Sequence, residues 1–69
     1  MYTIIHDDDG VIKYRTDRGA WIPKLYPGYN LCSYSEEIDA EIAAGTIENK
    51  ERKDNLKVVK IKKVKMGEY

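Results

Sequence analysis

Short runs of β-branched and aromatic residues, broken by turn-forming pairs, fill the first third of the chain. Tyr2-Thr3-Ile4-Ile5-His6 has strand composition. Asp7-Asp8-Asp9-Gly10 follows, and Asp-Gly is a hairpin signal because glycine accepts a positive φ without a Cβ clash. Val11 to Arg15 supplies the return strand, and Thr16-Asp17-Arg18-Gly19 offers a second turn. Ala20-Trp21-Ile22 reads as a short third strand that ends at Pro23, which cannot donate a ladder hydrogen bond. A three-stranded meander is the expectation.

Residues 23–34 change character. Pro27-Gly28 has the signature of a type II turn, and the segment around it is an aromatic loop. Ser33 and Glu36 have capping-box spacing, with Ser35 as an alternative N-cap. Glu36, Glu37 and Asp39 suit the positive end of a helix dipole. Ile38 and Ile42 share one face, and Gly45 is a natural left-handed stop. The predicted helix is about ten residues, too short to persist alone in water. Ile38 and Ile42 are therefore expected to hold it on the sheet, against Ile5, Ile12, Trp21, Val59 and Ile61.

Residues 48–55 contain no apolar side chain and read as a solvated connection, with room for a frayed turn through Glu48 and Arg52. From Leu56 to Met66 a helical period fails. Period two holds only in pieces: Leu56 and Val58, then Val59 and Ile61, then Val64 and Met66. Such phase changes predict either a bulge or a strand buried on both faces for part of its length. The predicted fold is α+β, a small antiparallel sheet in the order βββαβ. It forms one domain over residues 1–66, with residues 67–69 as a loose end.

Length and composition narrow the function. A 69-residue chain buries only about 60% of its unfolded surface, so the core must be lean. The apolar fraction is 42% and the charged fraction 35%, a balance that folds with little to spare. No stretch approaches the length of a membrane helix, and the chain opens on no secretory leader. Cys32 is the sole cysteine and cannot form an internal disulfide, which points to reducing cytoplasm. The net charge is zero but uneven. Residues 1–50 carry five basic and nine acidic side chains, and residues 51–69 carry seven and three. The asymmetry reads either as a partner-binding tail or as a basic strand beside an acidic helix.

Candidate chemistry is sparse. His6 and Cys32 are the single imidazole and the single thiol, and a nucleophile needs both a base and a group to orient it. The three consecutive aspartates do not have the alternate spacing of a calcium loop and read as turn residues. One cysteine and one histidine do not make a zinc site. No catalytic residue, metal or cofactor is assigned, and the chain reads as a non-enzyme. Lys57, Lys60, Lys62, Lys63 and Lys65 form a lysine-rich strand that could meet phosphates, but they divide between two faces. Lysine also guards sheet edges against pairing.

The aromatic residues carry more information. The chain has six tyrosines, one tryptophan and no phenylalanine. Trp21, Tyr26, Tyr29 and Tyr34 fall close together among Pro23, Pro27 and Gly28. Side chains with an apolar body and a polar tip anchor protein interfaces. They would also close the rim of a small core. The expected function is a non-enzymatic protein-binding module, an inhibitor or modulator of a larger protein, that contacts its partner through these four aromatics. The alternative is a nucleic-acid-binding accessory protein using the lysine strand. Self-association through an exposed sheet edge or face is a further route.

The segment from Ile22-Pro23 through Asn30 and Tyr34 to Ala43-Ala44-Gly45 resembles stretches of bacteriophage tail-assembly proteins. The resemblance covers under half the chain. It implies a phage or mobile-element origin, in a host cytoplasm, and brings no function with it.

Overall fold

A two-residue reversal at Asp9-Gly10 sets the sheet. Asp9 (φ 53°) and Gly10 (φ 90°) both take positive φ, the combination that lets a tight hairpin follow the strand twist. Asp7 Oδ1 accepts the Gly10 N–H at 2.9 Å. In the computed structural model, which describes residues 1–23 and 28–61, β1 (Tyr2–Asp8) and β2 (Val11–Arg15) pair antiparallel with Asp8 opposite Val11. The second turn is built on Thr16. Its carbonyl accepts the Gly19 N–H at 3.1 Å and its hydroxyl accepts the Ala20 N–H at 3.0 Å. The chain then returns as β3 (Trp21–Ile22) along β2. β4 (Leu56–Lys60) pairs antiparallel with the other side of β1. The strand order is β3-β2-β1-β4, and α1 (Glu37–Glu51) packs over β1 and β4. This is the expected βββαβ arrangement.

Directly opposed residues of an antiparallel pair share a face, so the register assigns the two faces. Ile4 stands opposite Val58, His6 opposite Leu56 and Lys13, and Arg15 opposite Trp21. Trp21 bonds to Glu51 of α1, so this is the helix side. Ile5, Ile12, Tyr14, Ile22 and Val59 belong to the other face. There Ile22 and Leu31 are buried together, with Tyr14 and Ile61 packed against them.

The expected core partners of the helix are thus corrected. Ile5, Ile12, Val59 and Ile61 lie on the side away from α1, and Ile12 is 38% exposed. Only Trp21 of that set meets the helix side. Ile4, fully buried, takes the place expected for Ile5. Apolar residues on both faces of β4 explain its broken period. Its register with β1 runs without a bulge from Leu56 to Lys60.

The helix differs from expectation at both ends and in its orientation. It starts at Glu37, not at a Ser33 cap, and Glu36 precedes it in extended conformation with no side-chain cap. Tyr34 exchanges backbone hydrogen bonds with Tyr2, at 2.8 and 2.9 Å. That bridge keeps the chain extended through the proposed box. The helix passes through Gly45 and stops at Arg52, whose φ of 53° and ψ of 39° are left-handed. It is 15 residues long, so the segment from Glu48 to Glu51 is helix and not connection. Ile38 and Ile42 do not dock: they are 62% and 63% exposed. Ala40 and Ala44 are the buried residues, and Ile47 and Glu51, partly buried, continue their row at helical spacing. Small side chains let a helix approach a sheet closely. The strand continuation to Met66, its last phase change and the loose end at 67–69 lie outside the described residues.

Candidate functional site

The row that docks α1 ends in a polar clamp. Trp21 Nε1–H donates to Glu51 Oε1 at 3.0 Å. Arg15 Nη2 lies 2.7 Å from Glu51 Oε2, so each carboxylate oxygen has its own donor. The Arg15 guanidinium also sits over the Trp21 ring, 5.1 Å from its centroid, a cation–π arrangement. His6 approaches the same ring at 5.7 Å between centroids, tilted by 59°. Its Nδ1 is 3.0 Å from the Asp54 carbonyl just beyond the helix. The Trp21 hydrogen bond, opposed by burial and aided by Arg15, holds the Glu51 carboxyl below its ordinary value. A carboxylate at a helix C-terminus is unfavourable to the dipole, and these partners offset that. Arg15 Nη1 is buried without a partner among the described residues. A lone buried donor is costly, and the Trp21 face is its compensation.

Of the four aromatic candidates, two are built into the scaffold. Trp21 is half-buried in the clamp. Tyr34 carries the backbone bridge to Tyr2, and burial, with Cys32 adding to it, raises its hydroxyl above the ordinary value. Tyr29 stands 46% exposed beside Gly28, whose φ of 88° bends the loop. With Asp17, Arg18, Gly28 and Asn30 it borders a cleft of about 230 Å³. The base of that loop is tied down, since Asp17 N–H donates to the Asn30 carbonyl at 2.9 Å. Tyr26 and Pro27 lie outside the described residues.

The lysine candidates are likewise divided. Lys57 and Lys60 are both exposed on β4. Lys57 stands opposite Ile5 and Lys60 opposite Tyr2, so they point to different faces, as the alternation predicts. Lys62, Lys63 and Lys65 lie outside the described residues. β4 lies beside the acidic flank of α1. A groove of about 570 Å³ runs between them, lined by Glu37, Glu41 and Glu48 on one side and Leu56, Lys57 and Val58 on the other.

The remaining reactive groups are engaged locally. His6 is 7% exposed and committed to Asp54 and Trp21. Cys32 is a free thiol with Sγ 3.5 Å from Thr3 Oγ1, which donates to the Cys32 carbonyl at 2.6 Å. Asp8 binds Lys13 at 2.7 Å, and that hydrogen bond lowers its carboxyl. No group of His, Cys, Asp and Glu suited to a metal occurs among the described residues. No helix among them is long and apolar enough to cross a membrane.

The residues that sequence reasoning missed are Arg15 and Glu51. The available signal was the row Ala40, Ala44, Ile47 and Glu51, which keeps helical spacing past Gly45 and places a carboxylate at its end. Comparisons with protein-family models, curated proteins and solved structures return no match for this chain.

Proposed function

We propose that the chain is a non-enzymatic protein-binding module that docks through the outer face of α1. One observation carries the reading: Ile38 and Ile42, one turn apart on the helix, are the most exposed large apolar side chains among the described residues. A chain this small has few large apolar residues for its core. Two of them standing together in water, on a helix fixed by the Glu51 clamp, are what a helix-reading partner recognises. Tyr29, exposed on its tethered loop, supports the same class of function as a second contact. A module of this size suits an inhibitor or modulator of a larger protein. The bacteriophage resemblance suggests the setting, and the free Cys32 thiol suits a reducing cytoplasm.

The test is affinity capture with the full chain, followed by binding measurements on Ile38→Glu, Ile42→Glu and Tyr29→Ala. A captured protein that the isoleucine variants lose, with their fold intact, supports the reading. Equal capture by all variants overturns it. Parallel titration with single-stranded and duplex nucleic acid at two salt concentrations probes the lysine alternative, because phosphate-driven binding collapses as salt rises.

A further inference from the structure

The outer edge of β4 is a second surface, independent of the helix face. Asp7 N–H donates to the Asn55 carbonyl at 3.2 Å, and Ile61 N–H donates to the Met1 carbonyl at 2.8 Å. In an antiparallel ladder the bonding residues alternate, so the odd-numbered residues of β4 face β1. The N–H and C=O groups of Leu56, Val58 and Lys60 therefore point away from it. Among the described residues no strand lies beyond β4, and an unpaired row of this kind is a template for one more strand.

The walls of the groove above that edge state the chemistry of the strand it takes. Glu37, Glu41 and Glu48 line the helix side, and none of them has an ion pair among the described residues. Gly45 lies between them, and a Cβ built there meets nothing within 4 Å, so the space is open. Glu37 and Glu41 are one helical turn apart, about 6 Å along the axis. Alternate residues of a strand repeat at nearly the same distance, about 6.7 Å.

We infer that the β4 edge accepts an extended segment of a partner protein in which lysine or arginine alternates with apolar residues. Its main chain continues the sheet at Leu56, Val58 and Lys60. Its basic side chains rise over the edge to Glu37, Glu41 and Glu48. A second copy of this chain fits less well. Pairing β4 with itself would bring the acidic flanks of two helices to face each other across the new ladder, and like charges in that position repel.

The experiment uses the full chain labelled for amide NMR, with a synthetic peptide alternating lysine and valine as the probe. In the free protein the amides of Leu56, Val58 and Lys60 should exchange rapidly with solvent. The peptide should shift those amides saturably and slow their exchange. Methylating alternate peptide nitrogens, which blocks the ladder, should abolish the effect, as should replacing lysine by glutamate. Glu41→Lys with Glu48→Lys should weaken binding by roughly tenfold or more, and Gly45→Trp should block the groove without altering the sheet. Four outcomes would overturn the inference. The amides could be protected already at all concentrations, which means the chain covers its own edge. They could become protected as concentration rises, which means a second copy does. The shifts could be independent of the glutamates, or absent at millimolar peptide. None of these bears on whether Ile38 and Ile42 bind a partner.

Discussion

The inner and outer faces of α1 differ in the opposite sense to their hydrophobicity. The inner face, Ala40, Ala44, Ile47 and Glu51, contains two alanines and a carboxylate, yet it is the face that docks. The outer face holds Ile38 and Ile42, which stay in water. Apolar area alone would rotate the helix to bury the isoleucines. The inner face wins because alanines let α1 sit close over β1 and β4, and because Glu51 gains two charge-assisted bonds there, to Trp21 and Arg15. An isoleucine in place of Ala40 would hold the helix off the sheet and pull that carboxylate away from Trp21 and Arg15.

If this comparison is right, the largest loss comes from the clamp. Trp21→Ala removes the aromatic body, the donor to Glu51 and the face under Arg15 together. It should lower unfolding free energy by about 3 kcal/mol or more in a denaturant titration. A midpoint close to the parent's would show that the helix end is held by something else. Next is Ala40→Leu, which forces extra volume into a fully buried position. A loss of about 2 kcal/mol is expected. No loss would mean that the close approach of α1 is not needed.

Glu51 sharpens the polar half of the comparison. Glu51→Gln keeps the shape and loses the charge, and should cost about 1.5 kcal/mol at neutral pH. The folded carboxyl titrates below its ordinary value of 4.5. Its contribution to stability is therefore complete above that value and is lost as pH falls through the lower folded one. Thermal unfolding of parent and variant, compared from neutral pH downward, should converge in that acid range. A constant gap across the range would mean the carboxylate charge is not what binds Arg15 and Trp21.

The unequal legibility of the two faces has a physical cause. Turn chemistry is local, so Asp9-Gly10 and Thr16–Gly19 could be read from short stretches of chain, and the β1-β2-β3 meander followed from them. The place of β4 beside β1 did not. Helix orientation is a tertiary property. It depends on Arg15, Trp21 and Glu51 meeting across long stretches of chain, and no window around Glu51 contains either partner. The Ser33 box failed for a similar reason: the backbone bridge between Tyr34 and Tyr2 outweighed a local cap. At the candidate site, the division of Lys57 and Lys60 between faces was legible from strand alternation. The exposure of Ile38 and Ile42 was not, because a hydrophobic stripe at helical spacing predicts burial until the competing row is known.

Gly45 offers a smaller effect of opposite sign. It lies mid-helix with ordinary helical φ, and a Cβ there meets open space. Gly45→Ala should stabilise the fold by up to about 1 kcal/mol, by restricting the unfolded chain and favouring helix. A destabilised Gly45→Ala protein would mean that the helix needs flexibility at that point.

The smallest effect on stability is expected where hydrophobicity alone would place the largest. A docked isoleucine cut to alanine costs about 2–4 kcal/mol. At 63% exposure, Ile42 has little contact to lose, and alanine is the better helix former by a few tenths of a kcal/mol. Ile42→Ala should therefore leave unfolding within about 0.5 kcal/mol of the parent, and Ile38→Ala should behave alike. Each variant should also be no less soluble, since it removes apolar surface from water. The same pair supplies the functional half of the test. If the outer face exists for a partner, the double variant keeps its denaturant midpoint and loses the captured protein. A shift of 2 kcal/mol or more would put the isoleucines back in the core and the alanine row outside it, reversing the comparison between the faces.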